Sequence, residues 1–332
     1  MTAVTTSPAE APAFLRSLRP RGLVWTLLCL HRAALLFWVL LVAVAGGALL
    51  WAYGPGERGL WIEYRTMRCA SPDENLSCDF TGDAYLAYDM ATSLGSLIIT
   101  VVPFLVAVWA AGALIARELE TGTAELAWTQ SVTPTRWLAA KLALPAAVVA
   151  SGTALLTLLH RLMWPSNNEL RRWLSWAWYS DTAFRGNGTV AVAYALLGLA
   201  VGVLVGLLVR RSLPALGISL LCLGAVHFVL GVLRPYLWPP VTLTNRAEYS
   251  SLSGMPVDEG ALTSTGAHVP DPCNGSPACL KQHDIVGFYT EYHPSSHFWP
   301  LQLVETGIVL ALTALAVLVS FRLLNRRAGA AV

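Results

Sequence analysis

The sequence predicts an all-α integral membrane protein. Six transmembrane helices are expected, with an N-terminal interfacial helix, a short cytoplasmic helix and a loop-rich extracellular cap. Three observations lead there. Only 13% of the 332 residues are charged, 55% are hydrophobic, and the mean hydropathy is +0.55; a soluble domain carries roughly 25% charged residues. Six apolar runs are long enough to cross roughly 30 Å of hydrocarbon, which takes about 20 residues. The basic residues nearest those runs collect on one side.

The six runs are residues 33–51, 94–116, 138–159, 189–209, 213–233 and 299–323. Lipid offers no partner for backbone N–H and C=O groups, so such spans must be helices. Arg16, Arg19, Arg21 and Arg32 precede the first run. Arg117, Arg136 and Lys141 flank the loop after the second. Arg210 and Arg211 fill the turn after the fourth, and Arg322, Arg326 and Arg327 follow the sixth. Basic residues close to span ends mark the cytoplasmic side. Both termini are therefore expected in the cytoplasm of a bacterial plasma membrane; an excess of Arg over Lys and many Ala, Leu and Val residues suggest a GC-rich bacterial genome.

The chain divides accordingly. Residues 1–32 read as a disordered tail and an amphipathic lead-in helix at 14–30, with Leu23, Leu27 and Leu30 on one face. The opening MTAVTTSPAEAPAFLRSLRPRG lacks the apolar core and cleavage site of a secretory signal. Residues 33–233 hold the first five spans, including the loop 117–141. Residues 234–298, rich in Pro, Gly, Ser and Thr, form the cap, and 299–332 the last span and a basic tail. Two aromatic stretches read as headgroup belts: Trp173, Trp176, Trp178 and Tyr179 beside Arg171 and Arg172, and FYTEYHPSSHFWP before the last span.

Cys69 with Cys78, and Cys273 with Cys279, share outer loops and are candidate disulfides of an oxidising compartment. A metal site near the second pair is disfavoured, because its spacing matches no zinc pattern. Pro294 argues against a helical metal pair at His293 and His297. A net charge of +2 gives no case for nucleic acid.

No GxxxxGK[ST], HExxH, GxSxG or CxxC is present. The chain then binds no cofactor of its own, has no ATPase motif and is not expected to be an enzyme. Ionisable groups within the spans are few, notably His227 and Glu305, which by default are functional candidates. A proton-driven carrier would need more carboxylates. Gly198, Gly202 and Gly206, spaced by four, form a seam for close helix packing, either within the subunit or between subunits.

The polar run RELETGTAELAWTQSVTPTRWLAAK at 117–141 lies between the second and third spans. Gly122 breaks the helix and Pro134 ends the next one. Between them a short helix is expected at 123–132, with Leu126 and Trp128 as an apolar centre that a partner would bury.

This loop, in the pattern ARE-x-E-x-GT-x-x-L-A-x-TQSV-x-x-x-RWL-x-x-KL, resembles the membrane-spanning subunits of type-2 ABC exporters, in the actinobacterial branch of ABC transporter permeases. The likeness continues in GLVWTLLCLHRAALL, VAVAYALLGLAVGVLVGLLVRRSLPAL and YHPSSHFWPLQLVETGIVLAL. The resemblance implies a permease subunit paired with a second membrane subunit, as homodimer or heterodimer. It implies a coupling helix, here 123–132, seated in a separate cytoplasmic ATPase that binds ATP and Mg. Glu118 and Glu120 match the acidic residues before that helix, and Thr123, Leu126, Trp128 and Arg136 belong to the coupling region. The alternative is a non-transporting membrane anchor or regulator of such an ATPase.

Overall fold

The computed structural model describes residues 22–66, 82–130, 132–164, 177–245, 254–273 and 276–329. Cys69, Cys78, Arg171, Arg172, Trp173, Trp176 and residues 14–21 of the expected lead-in lie outside the described residues.

Among the described residues, six helices are long and apolar enough to cross a membrane. A short helix α1 (Leu23–Leu30) meets α2 (Arg32–Trp51) at His31. Of the face expected on α1, Leu27 is buried while Leu30 is exposed. After Trp51 the helix widens into a π turn, Ala52–Gly56, and resumes as α3 (Glu57–Thr66). Pro55 lies in that turn and has no N–H to give, so a change of ladder there loses little.

Helix α4 (Asp83–Trp109) continues through a second π segment, Ala110–Ala116, into α5 (Arg117–Glu120). It starts eleven residues before the apolar window because DAYLAYDMATS is helical although polar. A brief α6 (Thr123–Gln130) leads to α7 (Pro134–Met163). Pro134 is the first helical residue of α7, where its missing N–H costs nothing, and Thr133 caps it by accepting the Arg136 N–H at 3.4 Å.

A one-and-a-half-turn α8 (Asp181–Gly186), capped by Ser180, precedes α9 (Val190–Val209). Arg210, with φ 57°, turns the chain directly into α10 (Ser212–Leu233). The final α12 (Phe298–Gly329) follows a four-stranded sheet.

Helix α9 is the hub, packed by α4, α7, α10 and α12. Its burial comes from small residues. A Cβ on Gly198 would overlap the carbonyl of Pro103, one on Gly202 that of Ala107, and one on Gly206 would sit 2.9 Å from that of Ala111. The glycine seam thus brings α9 against α4 and its π segment inside one chain, where backbones can approach closely.

The fold is not all-α, and the region after α10 is not simply loop-rich. Strands β1 (Val241–Asn245), β2 (Met255–Thr263), β3 (His268–Val269) and β4 (Ile285–His293) form an antiparallel sheet ordered β1-β4-β2-β3. FYTEYH, expected in an aromatic belt, lies in the central strand β4, paired by Tyr292 to Val241 and by Phe288 to Ala261. Its alternating aromatic and Thr residues suit a pleated surface packed on both edges. Between β3 and β4, Cys273 and Cys279 are disulfide-bonded at the start of α11 (Pro277–Gln282). Met255 and Phe298 join the sheet to the helical core.

Candidate functional site

The 117–141 loop is built tightly. The Thr121 hydroxyl donates to the Arg117 carbonyl at 2.9 Å, and Gly122, with φ 73°, turns the chain out of α5. A side chain would be strained in that left-handed conformation. The Thr123 hydroxyl then reaches back to the Glu118 carbonyl at 3.2 Å as α6 begins.

Lys141 anchors the arrangement. Its side chain is 2% exposed, and Nζ donates to Glu118 Oε1 at 2.6 Å and to the Leu114 carbonyl at 2.8 Å. The other carboxylate oxygen of Glu118 accepts the Trp137 indole N–H at 3.3 Å. A buried charge is tolerable only with such a complement of partners. Glu120 is engaged separately: Oε2 accepts the Ser212 hydroxyl at 2.6 Å and the Ser212 N–H at 3.0 Å, tying α5 to the start of α10. Arg327 donates to the Leu207 carbonyl at 2.6 Å, drawing the end of α12 to the end of α9. Burial, then the nearby Lys141, hold the His31 imidazole below its ordinary pKa, against a smaller opposite effect of Glu118.

One end of the helix bundle is therefore a braced platform carrying α6. Glu118 and Glu120 both spend their carboxylates inside the chain. Trp128 is half-buried, edge-on to Trp137 with centroids 5.6 Å apart, rather than displayed outward. The apolar side chain that α6 displays is Leu126, 60% exposed; Ala124 beneath it is fully buried. Thr123 and Arg136 are exposed on the same loop. Among the described residues, Trp128 Nε1 is buried without a hydrogen-bond partner.

The opposite end holds a second polar assembly. Glu305, fully buried on α12, accepts Arg234 Nε at 2.8 Å and Nη2 at 3.3 Å, and the Tyr194 hydroxyl at 3.1 Å. Arg234 also donates to Asp181 Oδ1 at 3.1 Å, and Arg185 donates to the same oxygen at 2.9 Å. Arg185 Nη1 lies 2.5 Å from His227 Nδ1. Two carboxylates thus balance two guanidiniums, and the cluster is neutral as a whole. Burial alone would raise the Asp181 carboxyl; His227, whose Nε2 lies 3.8 Å from Oδ2, and the charges of Arg185 and Arg234 outweigh it and hold it well below the carboxylate range.

The sequence singles out His227 and Glu305 separately, and the fold brings both into one cluster. Asp181, Arg185, Arg234 and Tyr194 were not anticipated. An available signal was the acid–base pair Asp181 and Arg185, four residues apart on a short helix, with Arg234 just after an apolar span.

Beside this cluster, Gln302 accepts the Val190 N–H at 3.2 Å and donates to the Phe184 carbonyl. Trp178, expected at a headgroup belt, packs edge-on to Phe298 with centroids 6.1 Å apart. His293 and His297 bond to each other through Nδ1 at 2.9 Å, and His293 Nε2 donates to the Pro235 carbonyl at 2.8 Å. Among the described residues, the one group with metal-ligand proximity is Cys273, Cys279 and His283. Its two sulfurs are spent in the disulfide and are not thiolate ligands.

Residues 39–234, more than half of the chain and running from α2 to Arg234, match the family model described as ABC-2 membrane transporter related. No curated protein and no solved structure matches the chain. The chain belongs to the ABC-2 membrane transporter related family, and with its six apolar helices it is a multi-pass membrane protein of the ABC transporter permease kind.

Proposed function

We propose that the chain is the membrane-spanning subunit of an ABC exporter, with α6 as the coupling helix received by a separate cytoplasmic ATPase. The carrying observation is the braced platform. Leu126 stands exposed on a two-turn helix whose base is fixed to three spans through Glu118, Lys141, Trp137 and the Glu120–Ser212 bonds. An exposed apolar crest on a rigid mount can transmit a push from a partner to the helices behind it. A solvated linker would do neither.

Arg117, Arg136, Arg210, Arg211, Arg322, Arg326 and Arg327 all belong to the platform end, which supports a cytoplasmic orientation of that end in a bacterial plasma membrane. The disulfide and sheet then face outward, and α1 lies at the inner interface. ATP and Mg would be held by the ATPase, since no phosphate-binding loop exists in the chain. A second membrane subunit, identical or different, would complete the pathway. Leu126→Asp should abolish co-purification of the ATPase while the protein still inserts and stays monodisperse. Full ATPase recovery with Leu126→Asp would overturn the docking role.

A further inference from the structure

A cleft of about 340 Å³ opens between α4, α7 and the segment entering α8, apart from the neutral cluster described above. Its chemistry is unusual for helices of this hydropathy. On α4 it is lined by Asp89, Thr92, Ser96 and Thr100, and on α7 by His160 and Trp164. The volume falls within the roughly 300–1,000 Å³ of small-molecule sites.

Thr92, Ser96 and Thr100 recur every four residues, so they rise along one face of α4. Each hydroxyl has a single hydrogen, and each lies within bonding distance of the carbonyl one turn before it. Thr92 reaches the Tyr88 carbonyl at 3.0 Å, Ser96 the Thr92 carbonyl at 2.9 Å, and Thr100 the Ser96 carbonyl at 2.8 Å. Thr92 and Thr100 direct their hydrogens at the backbone and offer lone pairs to the cleft, whereas the Ser96 hydrogen is shared between the Thr92 carbonyl and His160 Nε2. His160 is held at the wall by Ser96 at 2.8 Å and Asn187 at 2.8 Å.

Asp89 sits at the same wall. Among the described residues its carboxylate has no ion pair and no hydrogen bond, in contrast to Asp181 and Glu305 nearby. A carboxylate in a partly buried, acceptor-rich wall is complementary to a cation that also brings several N–H donors. The Trp164 ring stacks on His160, centroids 6.1 Å apart, and closes that side of the cleft. Leu97 adds an apolar contact for a hydrocarbon tail.

We propose that this cleft binds the protonated primary amine of an amphipathic molecule, its ammonium on the Asp89 carboxylate and the neighbouring Thr92 oxygen and its hydrocarbon running toward Leu97. The assignment deepens the export reading by naming the substrate class, and it rests on that reading only for the word substrate. A quaternary ammonium has the charge without the donors, and a fatty alcohol has neither the charge nor three donors. The site therefore ranks three probes of equal chain length.

The test uses the purified full chain in nanodiscs of zwitterionic lipid, with empty nanodiscs as the partition control. Binding of dodecylammonium, dodecyltrimethylammonium and dodecanol is measured by titration calorimetry. Dodecylammonium should bind most tightly, and Asp89→Asn should weaken it about tenfold or more, as loss of a charged hydrogen-bond partner does. Thr92→Val, which removes one acceptor and keeps the shape, should weaken it less and in the same direction. Equal binding of the primary and quaternary amines, or unchanged binding by Asp89→Asn, would overturn the site. With the ATPase reconstituted, the two proposals separate. Amine binding without ATP-driven export overturns the export reading and leaves the cleft standing. Export of the amine undiminished by Asp89→Asn overturns the cleft and leaves the export reading.

Discussion

The Glu118–Lys141 pair makes a prediction whose size follows from its geometry. The two partners are unequally buried: Lys141 is 2% exposed and Glu118 18%. Among the described residues, Glu118→Ala leaves an ammonium deep in the fold with the Leu114 carbonyl, at 2.8 Å, as its one hydrogen-bond partner and the Trp137 ring 5.2 Å away. Removing one member of a buried pair costs about 3–5 kcal/mol. It also strips the Trp137 N–H of its acceptor, worth about 1 kcal/mol more. Lys141→Met removes the charge that is hardest to bury and leaves Glu118 bonded to Trp137 and partly hydrated, at a cost of about 1–2 kcal/mol. The double variant Glu118→Ala/Lys141→Met has no buried charge left, so it should be more stable than Glu118→Ala alone. The coupling energy should be about 2 kcal/mol or more. Equilibrium unfolding by SDS titration in mixed micelles, followed by helical circular dichroism, gives all four corners of the cycle. Additive losses, or a Lys141→Met loss equal to that of Glu118→Ala, would refute the argument that the lysine is the stranded partner.

Other consequences can be checked in the same assays. Gly202→Ala should destabilise by about 2–3 kcal/mol, because the new methyl would overlap the Ala107 carbonyl. Gly217→Ala on α10, where nothing lies within 4 Å of the new Cβ, should instead gain roughly 0.5–1 kcal/mol. Equal effects at the two sites would deny the seam its packing role. For Asp181 the folded-state pKa is depressed, so its stabilisation is complete above the ordinary carboxylate pKa and is lost as pH falls toward the depressed one. The melting difference between wild type and Asp181→Asn should therefore stay constant from neutral pH to about pH 5 and shrink below about pH 4. A difference that collapses between pH 7 and 6 would contradict this assignment.

The apolar spans were legible because lipid removes alternatives: a run of about 20 apolar residues has one stable structure there. Gly122 likewise marked the start of α6 and Pro134 the start of α7, since a positive φ and a missing N–H act locally, whereas α6 ends at Gln130, short of the expected 132. For Trp128, an indole in a polar loop signals burial without naming the surface, and Trp137, nine residues on, supplies part of it within the chain. Glu118 and Glu120 gave no sign of their partners, because Lys141 and Ser212 approach only when three helices converge. The sheet was hidden for a different reason. Its strands contain Pro, Gly and charged residues, and their pairing joins Val241 to Tyr292, a separation no short-range pattern carries. The same holds for the Asp181–Arg234–Glu305 cluster, assembled from three distant elements.

The most direct measurement is affinity isolation of the full chain from its native membrane, with any ABC ATPase in the eluate identified and quantified by mass spectrometry. The wild type should bring down a protein carrying GxxxxGK[ST], and Leu126→Asp should lose it by about tenfold or more while the yield of membrane subunit is unchanged. Equal ATPase recovery from both would contradict the claim that α6 is where ATP-driven motion enters this protein.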